Sequence, residues 1–353
     1  MKAWDVIIIG GGIIGLSLSI ALRKRGAKVL VVERGEPGQE ASHAAAGMLV
    51  ECGLETPALL QPLAAASARM YPEFAHELQD ESGIDVDLRD QGTILFPAEH
   101  LCASAGFGAD IAPPPLAEVE PALADPGIPA VFLQERSVDP RALGTAALRA
   151  AKHRDVDISS GTEVKDVLLL SGRVTGVRTE KTSYAAAAVV NCAGAWAGHI
   201  PPHQFPTRPV KGQMLSVVGA SRNVLRHVIR APDVYLVPRS DGRIVIGSTL
   251  EEAGYDKRTD VDTIQRLHHA AIRMVPALSE ARMLQAWAGL RPGTPDALPI
   301  LGAATTPGYF VATGHFRDGI LLAPITARLM AQVITGMKPE IDISAFSPSR
   351  FAN

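Results

Sequence analysis

The chain has 353 residues, of which 47% are hydrophobic and 20% are charged, a balance typical of a globular protein with a well-filled core. The length is sufficient for two domains. A formal net charge of −3, without any block of basic residues, argues against nucleic acid or an anionic membrane as a partner. The three cysteines are scattered and form no Cys-x-x-Cys pair, so we expect reduced thiols.

The N-terminal residues have the pattern of a dinucleotide-binding unit. An apolar strand leads into Gly10, Gly12 and Gly15, then into a helix over residues 16–25 and a second strand that ends at Glu33. Gly10 allows the tight turn, Gly12 lets the backbone approach the pyrophosphate, and Gly15 lets the helix pack closely on the strand. The phosphates would lie at the N-terminus of the helix. An acid at position 33 suits ribose hydroxyls and argues against a 2′-phosphate.

An uncharged stretch over residues 6–22 raises the question of a signal peptide or a membrane anchor. Glycines interrupt this apolar run, Asp5 precedes it, and no small-residue cleavage site follows it. No other segment approaches the roughly 20 apolar residues that a membrane span requires. We therefore predict a soluble, cytoplasmic protein.

The rest of the chain alternates between helical and strand patterns without an internal repeat. Apolar residues at helical spacing predict helices over residues 63–82, 143–153, 262–275 and 320–335. Apolar and alternating runs predict strands within residues 87–96, 130–134, 162–168, 172–178, 185–194, 214–249 and 309–313. Residues 35–46 and the proline-rich residues 113–129 have the composition of loops.

Three glycine turns follow apolar strands, at residues 10–15, at Gly194 and at residues 314–319. Doubly wound sheets bind their ligands at the carboxyl ends of the strands. One turn is enough for one nucleotide half, so the additional turns favour FAD over NAD.

The order of these patterns predicts an α/β protein with two domains, each built from discontinuous stretches. A Rossmann-like FAD-binding domain is expected over residues 1–82, 135–208 and 295–353. A second, α+β domain, built on an antiparallel sheet, is expected over residues 83–134 and 209–294 and would bind the substrate.

Four motifs, which occupy residues 40–49, 209–213, 287–294 and 314–324, are dispersed over nearly the whole chain. Together they resemble the glycine-oxidase group of the D-amino-acid oxidase family of flavoproteins, a group associated with thiamine biosynthesis. The resemblance implies noncovalent FAD, because His43 lies one residue out of register with the position at which some relatives attach the flavin.

The resemblance also implies which residues line FAD. The first glycine turn, the acidic strand end, the 40–49 motif, the adenine contact at Val164, the turn at Gly194 and the wrap around the isoalloxazine supply them. They are Gly10, Gly12, Ile13, Ile14, Gly15, Glu33, Arg34, Ala41, Ser42, Ala46, Gly47, Met48, Val164, Gly194, His315, Phe316, Arg317, Asp318, Gly319, Ile320 and Leu321. The helix after Gly319 would direct its N-terminus at the flavin and stabilise the anionic reduced ring.

The family oxidises small amino acids by hydride transfer from the α-carbon to flavin N5, and the resulting imine hydrolyses to an oxo acid. Arg291 matches the carboxylate-binding arginine; a guanidinium fork suits this role better than a lysine, and the alternative is a structural ion pair. Arg317 matches a second substrate-side arginine. Tyr235 matches a tyrosine that helps to hold the carboxylate, although a strand tyrosine also serves packing. Met48 would lie near the flavin face, or simply in the core.

Three positions depart from the family pattern. Asp233 stands where the relatives have a histidine, Leu250 replaces a methionine, and Asp318 replaces an asparagine. The first two keep the choice among glycine, sarcosine and larger D-amino acids open.

The predicted activity is therefore FAD-dependent oxidation of glycine or another small amino acid, with O2 reduced to H2O2. The alternatives are a D-amino-acid dehydrogenase of the same fold, with a quinone or carrier acceptor, and a noncatalytic flavin-binding subunit. We expect a homo-oligomer. We expect no metal site, since His268 and His269 are adjacent and no His-Glu-x-x-His motif occurs.

Overall fold

The computed structural model describes residues 3–51, 56–96, 115–124, 127 and 129–351. Cys52, Cys102 and part of the predicted proline-rich loop lie outside the described residues. The α-helices are α1 (Ile13–Lys24), α2 (Ala41–Ala44), α3 (Gln61–Ser82), α4 (Leu116–Val119), α5 (Pro140–His153), α6 (Val261–Met274) and α7 (Ala323–Ile334).

The strands are numbered in chain order. They are β1 (Ala3–Ile9), β2 (Val29–Val32), β3 (Met48–Leu49), β4 (Thr93–Leu95), β5 (Val131–Leu133), β6 (Arg136–Ser137), β7 (Asp157–Ser159), β8 (Val164–Leu170), β9 (Arg173–Thr179), β10 (Ser183–Asn191), β11 (Arg208–Val218), β12 (Val228–Arg230), β13 (Tyr235–Pro238), β14 (Arg243–Gly247), β15 (Arg282–Gly293), β16 (Ile300–Ala303) and β17 (Tyr309–Thr313).

The first sheet has eight strands, with the order β16-β17-β10-β1-β2-β7 and the β8–β9 hairpin joined to β10. The pairs from β17 to β7 along this order are parallel. Parallel strands are normally covered on both faces, and β1 shows this directly. Ile8 packs into the core that contains the helices α1, α3, α5 and α7, whereas Ile7 and Ile9 pack against the β8–β9 hairpin. The predicted Rossmann-like architecture is confirmed.

The second sheet has seven strands, with the order β15-β11-β14-β13-β12-β4-β5. Helix α6 covers one face of this sheet. Its other face carries Val228, Val237 and Val245, which pack with Ala46 from the segment between α2 and β3. The sheet was predicted to be antiparallel, and the parallel pairing of β4 with β12 is an exception. A parallel pair needs a long connection, and a remote stretch of the chain supplies β4.

Several local predictions were wrong. The predicted loop at residues 35–46 contains the short helix α2, and the predicted strand pair at residues 87–96 is reduced to the three residues of β4. The helix expected from residue 320 begins at Ala323, because residues 319–322 form turns. The strand β7 was missed, and the long strand β15 was anticipated only around Trp287. The domain bounds stay a prediction.

Among the described residues, no helix combines the length and the apolar character that crossing a membrane would require.

The turn before α7 is fixed from below by α3. The hydroxyl of Tyr71, which is fully buried, donates to the Ile320 carbonyl at 2.6 Å, and the Ser67 hydroxyl donates to the Leu321 carbonyl at the same distance. Both hydrogen bonds are buried, and the Ile320 carbonyl also accepts the Ala323 N–H at 3.3 Å.

We predict that Tyr71→Phe lowers the free energy of unfolding by about 0.5–1.5 kcal/mol, because one buried hydrogen bond would be lost while the Ile320 carbonyl keeps the Ala323 N–H. Urea denaturation of the purified protein measures the change. Tyr184→Phe is the control, since the Tyr184 hydroxyl is half-buried and lies 3.1 Å from Ser159 Oγ. Equal stability losses in the two variants would contradict the assignment.

Candidate active site

A cavity of about 710 Å³ lies between the carboxyl edge of the first sheet and the facing side of the second. All of the predicted site residues except two line it. The exceptions are Gly15 and Leu321. Gly15 packs against the glycine turn, which was its predicted role. Leu321 is 1% exposed and belongs to the helical core, so the structure does not bring it to the cavity wall, and its contact with the cofactor stays a prediction.

The glycine turn has the geometry that the sequence predicted. Gly10 has a φ of +106°, which a residue with a side chain rarely adopts. A Cβ on Gly15 would lie 2.0 Å from the Gly10 carbonyl oxygen, so only glycine lets α1 begin this close to β1. The first N–H groups of a helix lack intrahelical acceptors and attract anions. One of them, on Ile13, donates to Ser42 Oγ at 2.9 Å.

Glu33 closes the same turn from the end of β2. Its two carboxylate oxygens accept the N–H groups of Gly11 at 2.7 Å and of Gly35 at 2.9 Å. Each oxygen keeps a further lone pair, and Glu33 lines the cavity. The carboxylate can therefore accept a ribose hydroxyl while it fixes the turn.

A stacked cluster that the sequence analysis did not predict lies beside Glu33. The Arg34 guanidinium lies 3.6 Å from the centre of the Trp196 ring, whose other neighbour is Tyr255 at 5.2 Å. Arg34 also pairs with Glu40. Trp196 lines the cavity and follows the Gly194 turn directly, which is the signal that could have identified it.

The second sheet holds the cavity-lining segment that precedes and includes β3. Trp287 Nε1 donates to the Ala44 carbonyl at 3.1 Å, and the buried Arg239 donates to the Ala46 carbonyl at 2.5 Å. A Cβ on Gly289 would lie 2.3 Å from Ala44 Cβ. These contacts position Ala46, Gly47 and Met48 along the cavity.

The turn after β17 lines the opposite wall. Phe316 has a φ of +47°, and its N–H donates to the Pro292 carbonyl at 3.0 Å. Burial lowers the pKa of His315 to about 3, so this imidazole is neutral; its Nε2 lies 3.1 Å from Thr326 Oγ1. His315 therefore orders the turn without adding charge.

Arg291 and Tyr235 meet at the second-sheet end of the cavity. Arg291 donates from Nη2 to Ser248 Oγ at 2.7 Å and from Nη1 to the Thr249 carbonyl at 3.2 Å. The Tyr235 hydroxyl donates to Met214 Sδ at 3.1 Å. The sequence predicted this pair, whereas Ser248 and Thr249 were missed because they act through Arg291.

The guanidinium of Arg291 lies against Gly212, which occupies the neighbouring strand. A Cβ on Gly212 would be 2.4 Å from both terminal nitrogens of Arg291. Gly212 belongs to one of the motifs that carried the resemblance, but its role depends on the pairing of β11 with β15.

The electrostatics of this end favour an anionic ligand. Burial lowers the pKa of Arg291, and the nearby charge of Arg317 adds to this effect, whereas Tyr235 and Glu251 oppose it. Burial raises the pKa of Tyr235, so its hydroxyl stays protonated and can donate. A desolvated guanidinium on β15 beside a phenol donor on β13 can bind a carboxylate.

The other predicted substrate-side residues line the same cavity. Arg317 and Asp233 are exposed there, and Met48 is half-buried. Leu250 lines the cavity with 57% of its surface exposed.

A covalent flavin link finds little support. His43 is not among the cavity-lining residues, whereas Cys192 is. Burial raises the pKa of the Cys192 thiol, which keeps it in its unreactive form. No cluster of three metal-ligating side chains occurs among the described residues.

Comparison with known proteins identifies the family. The family model described as "DAO: FAD dependent oxidoreductase" matches residues 5–333. The chain belongs to this family. It is an FAD-dependent oxidoreductase by this membership, and the resemblance predicted from its motifs is confirmed.

Similar proteins cover the full length of the chain. The bifunctional protein ThiO/ThiG of Trichormus variabilis is 36% identical over 98% of this chain and 55% of its own length. The chain thus spans about half of that relative. Glycine oxidase of Pseudomonas aeruginosa is 33% identical over 98% of both chains. The crystal structure of glycine oxidase from Geobacillus kaustophilus superimposes with a TM-score of 0.93 at 32% identity, over 100% of both chains.

The residues present fit FAD. The cavity of about 710 Å³ is of the size that encloses a large organic ligand, since such sites span roughly 300–1,000 Å³. Gly12 carries no side chain, so the backbone at the start of α1 stays accessible from the cavity. A Cβ at this position would lie 3.3 Å from Ser42 Oγ. Glu33 offers carboxylate lone pairs one strand away. A phosphate cradle and a ribose acceptor are thus adjacent on one wall.

We predict that Gly212→Ala folds and keeps its cofactor but weakens the binding of a carboxylate substrate about tenfold or more. The three atoms nearest to the added methyl group would all belong to the flexible end of the Arg291 side chain. The guanidinium would therefore move rather than the backbone. Substrate-concentration dependence of flavin reduction and cofactor content measure the two effects. Gly144→Ala is the matched control, because its Cβ would have only Gly38 Cα as a neighbour, at 4.0 Å. Unchanged substrate affinity in Gly212→Ala would contradict the role of Gly212.

Proposed function

We propose that the protein catalyses the oxidative deamination of glycine or another small amino acid or amine, such as sarcosine or a small D-amino acid. The α-carbon would be oxidised, the resulting imine would hydrolyse to the oxo acid, and O2 would be reduced to H2O2. One observation carries the proposal. The cavity that fits FAD ends at Arg291, which is held flat against Gly212 by hydrogen bonds to Ser248 and Thr249.

The residues of this end would hold the substrate by its carboxylate. Arg291 would bind it through paired N–H groups, which is a strong and directional contact. The protonated Tyr235 hydroxyl would donate a further hydrogen bond, and the exposed Arg317 would add positive charge. Met48 would pack near the reacting centre. The noncovalently bound FAD supplies the two-electron oxidation, so the protein must mainly orient the amine and exclude alternatives.

The FAD itself would be held by the residues that the sequence predicted. The start of α1 would bind the pyrophosphate, Glu33 the ribose, and the turn from His315 to Ile320 the redox ring. The relatives named glycine oxidase support a small substrate. Asp233 and Leu250 line the same cavity, and they are the positions at which this chain would set its choice of substituent.

The proposal extends to the setting of the enzyme. We infer a cytoplasmic enzyme from the low net charge and the scattered cysteines of the sequence, and we expect it to be a homo-oligomer that uses a small amino acid and O2. Size-exclusion chromatography with light scattering would measure the assembly.

We predict that glycine bleaches the visible absorption of the enzyme-bound flavin under anaerobic conditions, and that Arg291→Met raises the half-saturating glycine concentration about 100-fold. Loss of a paired, charge-assisted contact of about 3 kcal/mol gives this factor. Arg282→Met is the matched control, because Arg282 lies at the exposed start of the same strand. Bleaching by L-leucine, or a normal response of Arg291→Met to glycine, would overturn the proposal.

The acceptor is tested separately. An oxidase forms H2O2 in air without any added acceptor, and we expect this outcome. Turnover only with a quinone or an artificial acceptor would assign a dehydrogenase. No flavin reduction by any small amino acid would leave a noncatalytic flavin-binding subunit.

A further inference from the structure

A charged network lies behind the arginine that receives the carboxylate. Residues 248–251, here called the anchor segment, follow β14 and supply both hydrogen-bond acceptors of Arg291. The anchor segment is itself paired back onto β11. Lys211 and Glu251 exchange two backbone hydrogen bonds, each of 2.9 Å. The position of the Arg291 guanidinium therefore depends on what holds this segment.

Glu251 is the centre of the network. Its Oε1 accepts hydrogen bonds from Thr249 Oγ1 and from Gln213 Nε2, the latter at 2.9 Å. Its Oε2 lies 3.8 Å from Nζ of Lys211, which is only 5% exposed. Thr249 Oγ1 also accepts the Gln213 N–H at 2.9 Å. Burial alone would raise the pKa of Glu251, but Thr249, Gln213 and Lys211 outweigh it and lower the pKa.

The network reaches Arg291 through one residue. Thr249 uses its side chain for Glu251 and its backbone carbonyl for Arg291 Nη1. The negative charge of Glu251 also acts on Arg291 directly and favours its charged form. Lys211, Glu251, Arg291 and a bound carboxylate would thus alternate in sign across the strand pair.

We propose that Glu251 is a positioning residue for carboxylate binding, which acts on Arg291 through Thr249. This inference rests on the proposed function for the identity of the substrate. Glu251 fixes the Thr249 carbonyl where it holds the guanidinium flat over Gly212, and it offsets part of the positive charge that Lys211 and Arg291 bring together. Glu251 does not line the cavity, so it acts without contact to the substrate.

The test measures binding of acetate to the FAD-loaded enzyme by isothermal titration calorimetry, because acetate carries the group that Arg291 would receive. Glu251→Gln should weaken acetate binding about tenfold, since removing a charged partner from a hydrogen bond has an effect of that order. Thr249→Val should weaken it similarly, and Thr249→Ser, which keeps the hydroxyl, should restore it.

The double variant Glu251→Gln/Thr249→Val should lose less than the sum of the two single variants, because both changes act on the path through Thr249 and only the direct effect of the Glu251 charge is separate. Glu252→Gln is the matched control; Glu252 is exposed and pairs with Arg208. A general loss of structure would lower the melting temperature and the FAD affinity, and we expect neither to change. In the anaerobic reduction of Glu251→Gln, the half-saturating glycine concentration should rise, while the rate of flavin reduction at saturation stays within about twofold.

Acetate binding that is unchanged in Glu251→Gln and Thr249→Val would overturn the inference, as would losses that add in the double variant. Failure of the proposed function would look different: glycine would not reduce the flavin of the unmodified enzyme, while the acetate titrations would still rank the variants.

Discussion

The parallel pairing of β1 with β10 and of β10 with β17 is the constraint on which the site depends. The carboxyl ends of these neighbouring strands meet at one edge of the sheet, and each continues into a glycine turn. The second sheet faces this edge with the side that carries Tyr235 and Arg291. A long cofactor can therefore lie along one sheet and present its reactive part to the other.

The Arg291 end of the cavity shows how a protein can orient a largely buried guanidinium without giving it a carboxylate partner. Burial of an arginine without partners is costly. Arg291 donates to a hydroxyl and to a carbonyl oxygen, and among the described residues no carboxylate accepts a hydrogen bond from it. Its charge is stabilised at longer range by Glu251. A carboxylate in direct contact would have competed with the substrate, whereas neutral oxygens orient the group and leave its charge to an incoming anion.

The sequence was most informative where one residue type has one local purpose. The sequence predicted the turn geometry of Gly10 and Gly15 and the place of Glu33 at the cavity because the turn and the strand end are local features, and the place of Arg291 because it lies in a motif. Their contacts with cofactor and substrate stay predictions. Gly212 and Trp196 were missed as functional residues, since their roles arise from partners 79 residues away (Arg291) or 162 residues away (Arg34) along the chain. Sequence patterns do not report such register-dependent contacts. Leu321 lies away from the cavity wall because a turn precedes α7 there and its side chain is buried in the core.

The hydrogen bonds from Trp287 and Arg239 to the Ala44 and Ala46 carbonyls have a further consequence. They fasten the cavity-lining segment around Ala44 and Ala46 to the second sheet, so this wall of the cavity is completed by two remote parts of the chain. Any coupling through this wall between a ligand held by the first sheet and one held by the second would be reciprocal, so each ligand would change the affinity for the other by the same factor.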